Sequence, residues 1–387
     1  MNLQHLFTKE AIFLDAILSH NDINMRMVGG AVRDALLGVT PKDLDFAVDQ
    51  PPERVTEVLE AGGVHVIPTG LQHGTITAVI NGEAFELTTL RVDVETNGRH
   101  ADVEWTSDFE LDASRRDFTI NAMSVDPNGN LFDYFGGKLD LKRGVVRFIG
   151  DADARVREDY LRILRFFRFQ QRLGSGVVDQ DAMDAIFNNV AGLKNISGER
   201  IWMELSKILP GSNTVDTVMM MHDVGVFDVI GIPGFKVNDV LQAVSERSTN
   251  PITILAAGCT SVMSSVEATN TIENHWKVTS NERDLFRFIT NNTVGKMNSS
   301  KTDWDATLIT MAVRPKANNE FVRELALFIG SELFEHWDVP VFPVRGQDLL
   351  DNGMTPGKEV GERLKKMRRY WIESNFQMDN KTLLDLT

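Results

Sequence analysis

The sequence predicts an α+β fold, with a mixed strand and helix unit at the N-terminal end followed by helix nearly to the last residue. Three observations carry this. Up to Gly150, short apolar runs ending in glycine alternate with helical stretches. From Arg155 onward the apolar residues Tyr160, Ile163, Leu164 and Phe167 fall at i, i+3, i+4 and i+7, the stripe of a helix with one buried face. The length, 387 residues, exceeds the roughly 250–300 residues that one hydrophobic core serves, so two or more domains are expected.

Taken in order, MRMVGG is a short strand ending at Gly29 and Gly30, AVRDALLG is a helix closed by Gly38, and DLDFAV is an alternating strand. HGTITAVI and FELTTLR are further strands joined by Asn81-Gly82, a hairpin signal. The polar stretch from Asp93 to Glu104 reads as a mobile loop. ASRRDFTINAM then leads to a second hairpin in MSVDPNGNLFDYF, turning at Asn128-Gly129. Helical patterns continue through ERIWMELSKIL and VDTVMMMHDVGVF, and Gly/Pro punctuation falls at Pro210-Gly211, Pro233-Gly234, Pro340 to Pro343 and Pro356-Gly357.

Composition narrows the function. With 42% hydrophobic and 25% charged residues the chain is neither collagen-like nor of a disordered composition. Cys259 is the only cysteine, so no intrachain disulfide, disulfide-linked partner or cysteine-based zinc site is expected, and a reducing compartment fits. MNLQHLFTKEAIFLDAIL has neither the basic and apolar regions of a secretory signal nor the Arg-rich, acid-poor character of a transit peptide. No run reaches the ~20 apolar residues of a membrane span, so no membrane partner is expected. We therefore expect a cytoplasmic protein, with the mitochondrial matrix and a viral host's cytosol left open. The formal charge of -15 argues against a surface that coats nucleic acid nonspecifically. Positive charge is instead local: Arg155 to Arg172 holds six Arg against Glu158 and Asp159, and Lys358 to Arg369 holds six Lys and Arg against Glu359 and Glu362. Such runs are commonly solvated helix faces.

The first chemical signal is Gly29-Gly30-x-x-Arg33, followed by Asp43-x-Asp45. Alternate residues of a strand share a face, so the two carboxylates can share a hard divalent ion such as Mg²⁺. The glycines stand between a strand and a helix start, where bare N–H groups and the helix dipole favour phosphate. Together these suit a metal-bound nucleoside triphosphate. The second signal is Arg115-Arg116-Asp117. The third is Glu158-Asp159-x-x-Arg162, continued by Arg165 and Arg168. The i, i+3 spacing sets Asp159 and Arg162 on one helical face, as a surface ion pair or as a base reader. A carboxylate only accepts hydrogen bonds and a guanidinium only donates. The pair would therefore match the amine and ring nitrogen shared by cytosine and adenine, and reject guanine and uracil.

VGGAVRD, DLDF, RRDFTINAM, FDYFGGKLDL, REDYLRILRFFRF and SGERIWMEL, in this order, resemble the class II tRNA nucleotidyltransferases, the CCA-adding enzymes of bacteria and eukaryotes. GKEVGERLKKMRRYWIESNFQM is most similar to the mitochondrial-type members; residues 235–335 rest on helical pattern alone. The resemblance implies a polymerase-β-like head (1–150), then an all-α neck (151–211), body (212–315) and tail (316–387). It implies CCA addition to the tRNA 3′ end from CTP and ATP, with Asp43 and Asp45 on catalytic Mg²⁺ and Gly29, Gly30 and Arg33 at the triphosphate. Arg115, Arg116 and Asp117 would meet the nucleotide and its ribose. Asp159 and Arg162 would be the base template, with Glu158 orienting Arg162 and Arg165 and Arg168 binding nucleotide. Lys365, Lys366, Arg368 and Arg369 would hold the tRNA. Glu86 is the candidate third metal carboxylate, with an exposed strand residue as the alternative. The alternatives for function are a poly(A) polymerase, a partial CC- or A-adding enzyme, the CC-adding kind disfavoured by the loop before Arg115, and, from another class, an HD-type metal phosphohydrolase at His222-Asp223, which lacks an upstream His cluster.

Overall fold

The structure is a computed structural model that describes residues 3–386 except 42, 97–100, 174–176, 236, 260–269, 271, 274, 294–300 and 315–316. Elements are numbered among these residues. α1 (Lys9–Ser19) starts where Thr8 accepts the Ala11 N–H at 3.1 Å, an N-cap that satisfies one free donor of the first turn. β1 (Met25–Val28), α2 (Gly30–Leu36), β2 (Asp45–Val48), α3 (Pro52–Ala61), β3 (His65–Gly70), β4 (Thr75–Ile80) and β5 (Glu83–Thr89) follow. With β8 (Ser124–Val125) and β9 (Leu131–Phe132) the strands form a seven-stranded sheet in the order β3-β4-β5-β2-β1-β8-β9. Only β2 and β5 pair in parallel, with Asp45 opposite Glu86.

The Asn81-Gly82 hairpin forms, and both residues have positive φ, 52° and 86°, the backbone that a two-residue turn between twisted strands requires. The Asn128-Gly129 hairpin forms between β8 and β9. Two expectations change. β2 does not alternate: Phe46, Ala47 and Val48 are all buried, because a central strand has its faces covered by protein. The stretch from Asp93 to Glu104 is not wholly loop, since β6 (Arg91–Thr96) and β7 (Ala101–Trp105) pair antiparallel, Arg91 opposite Trp105. The alternation of Val92 and Val94 among polar residues is a strand pattern that the polar composition hid; the connecting residues 97–100 lie outside the described part.

α4 (Phe109–Ser114) is capped by Asp108 and leads into the arginine pair, and α5 (Gly137–Arg143) ends the strand-bearing part. A bridge between Phe118 and Phe148 then joins the segment after α4 to the segment entering the helical part. From α6 (Ala152–Glu158) the regular elements among the described residues are all helices: α7 (Leu161–Leu173), α8 (Gln180–Asn189), α9 (Gly198–Ile208), α10 (Thr214–Asp223), α11 (Val226–Val229), α12 (Asp239–Ser245) and α13 (Pro251–Cys259). α14 (Ser280–Thr293), α15 (Lys301–Ala312), α16 (Asn319–Ile329), α17 (Leu333–His336), α18 (Gly346–Asp351), α19 (Lys358–Glu373) and α20 (Asn380–Asp385) complete the chain. One apolar core runs from Leu3 through the sheet, α7 and α9 to Phe328, while a separate core around Val313, Val344, Leu349, Met367, Trp371 and Leu383 holds the C-terminal helices.

α7 is what joins sheet to helices at the cleft. Ile163, Leu164, Phe166 and Phe167 are fully buried, and Phe166 and Phe169 pack against Phe118. The other face of the helix carries Arg162, Arg165, Arg168 and Arg172 at spacings of three and four residues, so burying the phenylalanines turns the arginines to one side.

Candidate active site

Between β1, α2, α4, α7 and α9 lies an open cavity of about 940 Å³. Its lining holds ten cationic side chains against three carboxylates, in a chain of formal charge -15. Gly29, Gly30, Arg33, Arg115, Arg116, Asp117, Asp159, Arg162, Arg165 and Arg168 all line it, so the three separate sequence signals converge on one space. Glu158 stands behind the wall. Asp45 lines a smaller adjoining cavity of about 260 Å³ that shares Arg115 and Arg116 with the first.

Gly29 takes φ 66° at the turn from β1 into α2, and a Cβ there would lie 2.8 Å from the Arg116 guanidinium. Glycine therefore permits both the turn and the approach of Arg116. Arg33 is buried. It donates from Nε to Asp34 at 2.9 Å and from Nη1 to the Asn121 side-chain oxygen at 2.5 Å, and stacks over Phe169 at 4.9 Å. Arg172 of α7 reaches the same Asp34 oxygen at 2.9 Å, an ion pair across the cleft.

Arg115 and Arg116 fork on Asp112, at 2.8 and 3.2 Å. Burial alone would push the Asp112 carboxyl upward, but the two guanidinium groups and the Arg91 N–H hold it below the usual carboxylate range. Asp117 does not face the cavity as a free carboxylate. It accepts from the Phe118 N–H and the Asn121 amide at 2.9 Å, and from Arg165 Nε at 2.7 Å. Burial raises it, and Arg165 with these hydrogen bonds outweighs the burial and lowers it. Arg168 pairs with the buried Glu204 of α9 at 3.0 Å.

The template residues are placed differently from the expectation. Asp159 is not on a helix face: with φ -150° it sits in the break between α6 and α7, and Oδ1 accepts the Leu161 N–H at 3.1 Å, starting α7. Asp159 and Arg162 do not pair with each other. Asp159 Oδ2 accepts from Arg200 at 2.7 Å, while Arg162 Nη1 donates to Glu158 at 2.6 Å and to the Arg155 carbonyl at 2.8 Å. Arg155 is itself fixed to Glu158 at 2.5 Å and to the Arg116 carbonyl.

Asp43 and Asp45 are exposed at the start of β2, and among the described residues neither is ion-paired or hydrogen-bonded by a side chain. Although Asp45 keeps exposed surface, the protein packed around its carboxyl pushes it above its ordinary value; Arg116 opposes this and Asp43 adds to it. Two unpartnered carboxylates in mutual repulsion are the oxygen donors a hard cation relieves, so the residues fit such an ion. Glu86 is exposed beside Asp45 across the parallel register, but among the described residues no group of three candidate ligands converges.

In the tail, Lys365, Lys366 and Arg369 are exposed on α19, but Arg368 is turned inward. It donates to the Val313 carbonyl at 2.5 Å and stacks over Phe342 at 4.2 Å, and burial pushes its guanidinium down. A run of four cations on a helix cannot all face one way, and the apolar stripe of Met367 and Trp371 takes Arg368 with it. His222 and Asp223 are exposed, 3.6 Å apart, with no metal-binding group around them among the described residues.

Asp112, Asn121, Arg200 and Glu204 were not singled out by the sequence reading, and Arg155 and Arg172 entered it only as part of a charge run. Signals existed for some: Asp112 stands three and four residues before the arginine pair, and Arg200 and Glu204 are i, i+4 neighbours in SGERIWMEL.

Residues 25–147 match the poly A polymerase head domain, and residues 177–237 match a family described as a probable RNA and SrmB-binding site of polymerase A. The chain is 39% identical to CCA tRNA nucleotidyltransferase 1, mitochondrial, of Mus musculus over 98% of this chain and 90% of that protein. The Homo sapiens protein of the same name gives the same figures. A CCA-adding enzyme of Staphylococcus haemolyticus is 33% identical over 72% of this chain and 67% of its own length. Among solved structures, the Bacillus stearothermophilus CCA-adding enzyme in complex with CTP superposes with a TM-score of 0.73 at 26% identity, over 97% of this chain and 94% of that one. The Thermotoga maritima CCA-adding enzyme complexed with tRNA_CCA shares the fold, with a TM-score of 0.72 at 20% identity over 100% and 98% of the two chains. With identity sustained over nearly the full length of both proteins and three motifs meeting in one cationic cleft, the chain belongs to the CCA tRNA nucleotidyltransferase family.

Proposed function

We propose that this chain adds C, C and A to the 3′ end of tRNA from CTP and ATP, with the cleft between sheet and α7 as the nucleotide site. The observation that carries the reading is the cleft itself: ten cations against three carboxylates suit a triphosphate and an RNA end on a protein that is acidic elsewhere. The tRNA 3′-hydroxyl attacks the α-phosphorus of the nucleotide, the bond to the β-phosphate bridging oxygen breaks, and pyrophosphate leaves. Asp43 and Asp45 would hold the divalent ion, for which we propose Mg²⁺, and Glu86, opposite Asp45 in the parallel register, is the candidate for a further donor once the ion is bound. When bound, that ion stabilises the charge on the attacking and leaving oxygens.

The other side chains bind and orient. Gly29 and Gly30 leave the α2 N-terminus open to phosphate, and Arg33, Arg115 and Arg116 lie along the path the triphosphate would take. Asp117 holds Arg165 at the cavity wall. Arg162 keeps its Nη2 edge without a protein acceptor among the described residues, free to donate to a ring nitrogen. Asp159, pinned by Arg200 and by the Leu161 N–H, keeps lone pairs to accept from an exocyclic amine.

We divide the chain into head 1–150, neck 151–211, body 212–315 and tail 316–387. The bridge from Phe118 to Phe148 just before the first purely helical segment supports the limit between head and neck. Lys365, Lys366 and Arg369 would meet tRNA phosphates. For compartment we infer a reducing one, the cytoplasm or the mitochondrial matrix. The mouse and human relatives are mitochondrial by name, and no helix among the described residues is long and apolar enough to cross a membrane.

The test is incubation of the protein with tRNA lacking its 3′ CCA and each nucleoside triphosphate alone and combined, reading product length and sequence. Addition of C, C and A in order is expected. A long A tail, or arrest after two residues, would overturn the reading in favour of a poly(A) polymerase or a partial adding enzyme.

A further inference from the structure

Asn121 is 7% exposed, in the short turn Thr119–Asn121, and joins Arg33 of α2 to the neighbouring residues Arg116 and Asp117 that follow α4. Its side-chain oxygen accepts from Arg33 Nη1 at 2.5 Å, and its Nδ2 donates to Asp117 Oδ1 at 2.9 Å. Its backbone carbonyl accepts from Arg116 Nη1 at 3.5 Å. The amide orientation follows from chemistry: a guanidinium can only donate and a carboxylate can only accept, so the oxygen must face Arg33 and the nitrogen Asp117. Among side chains of this length, an amide is the one that offers an acceptor and a donor from the same carbon.

Beyond Asp117 the hydrogen bonds continue into the helical part. Arg165 Nε donates to Asp117 Oδ2 at 2.7 Å, and Arg165 stands one turn from Arg162 on α7. Asn121 is therefore the middle of an unbroken series from Arg33, beside the phosphate-binding turn of the head, to the helix that carries the base reader. Removing it leaves Arg33 with Asp34 and the Phe169 ring and leaves Asp117 with Arg165 and the Phe118 N–H.

We propose that Asn121 is a positioning residue that fixes the distance between the triphosphate grip at Arg33 and the base reader at Arg162, so that selection of the base depends on it although it meets no base. The inference rests on the reading of the site given under Proposed function. It follows that loosening Asn121 lets a nucleotide held by its phosphates present its base at a variable distance from Arg162, and discrimination falls because the base is misaligned, although Asp159 and Arg162 are still present.

The experiment measures kcat/KM for CTP and for UTP on tRNA ending before the first C, for the wild-type protein, Asn121→Leu and Asn121→Ser, with melting temperature recorded for each. Leu keeps the branching of the side chain and removes both hydrogen bonds; Ser is small enough to admit water and guards against a variant that fails to fold. We expect KM for CTP to rise and the preference for CTP over UTP to fall about tenfold or more in a variant that melts like the wild type, since each of the two hydrogen bonds removed is made to a charged group. A preference within twofold of wild type in either folded variant overturns the inference, as does an effect on kcat alone with the CTP to UTP ratio kept. A wild-type protein that shows no preference for CTP would instead overturn the reading of the site, so the two failures are distinct.

Discussion

Arg200 of α9 donates to Asp159 Oδ2 at 2.7 Å, and so the carboxylate expected to read the base is held by a helix some forty residues further along the chain. The neighbouring guanidinium at Arg162 is held by a different counter-charge, Glu158 at 2.6 Å. Each half of the proposed reader has its own support, so the acceptor and the donor do not neutralise one another.

Loss of that support should show in selectivity. Arg200→Ala is expected to lower the preference for CTP over UTP about tenfold, because a carboxylate held only through Oδ1 by the Leu161 N–H presents its acceptor less precisely. Incorporation of all four nucleotides on tRNA ending before the first C is the measurement. Unchanged selectivity would make the Arg200 and Asp159 ion pair a matter of stability only.

At the proposed metal site, Asp43→Ala and Asp45→Ala should each reduce nucleotide addition at least ~100-fold, since the developing charge on the reacting oxygens would lose its counter-ion. Both carboxylates are exposed and outside the core, so the melting temperature should stay within a few degrees. Substantial activity in both variants would remove them from the mechanism.

Asp112 gives a pH prediction. Its folded carboxyl lies below the ordinary value near 3.9, so it contributes stability that is present above about pH 4 and is lost as pH falls further, toward the folded value. Asp112→Asn should cost about 1–3 kcal/mol at pH 7 by leaving Arg115 and Arg116 without their shared partner. The difference between variant and wild type should shrink between pH 5 and pH 3 in urea unfolding. A pH-independent difference would contradict the assignment.

The tail separates into two predictions. Replacing Lys365, Lys366 and Arg369 by Ala should weaken tRNA binding and flatten its salt dependence by roughly 0.7–0.9 in logarithmic slope for each tRNA phosphate that is no longer neutralised. Arg368→Ala should act on stability instead, by about 1–3 kcal/mol, because it gives up the Val313 carbonyl and the Phe342 ring. Equal salt slopes in all variants would make this face of α19 a solvated surface.

Local pattern alone was enough for the mixed head, the helical remainder, both hairpins and the three signals of the cleft, because strand alternation, helix periodicity and the positive φ demanded at Asn81 and Gly82 are properties of neighbouring residues. It was not enough for partners. Asp159 and Arg162 look like an ion pair by spacing, yet the break at Asp159 turns one toward Arg200 and the other toward Glu158, and Arg368 looks like its neighbours until Phe342 covers it. Asp117 likewise reads as part of a nucleotide motif and is spent on Arg165 and Asn121. In each case a charged group is partly withdrawn from water, its desolvation must be offset by whichever opposite charge or ring the packing of distant helices brings near, and that choice is made only when the tertiary structure closes.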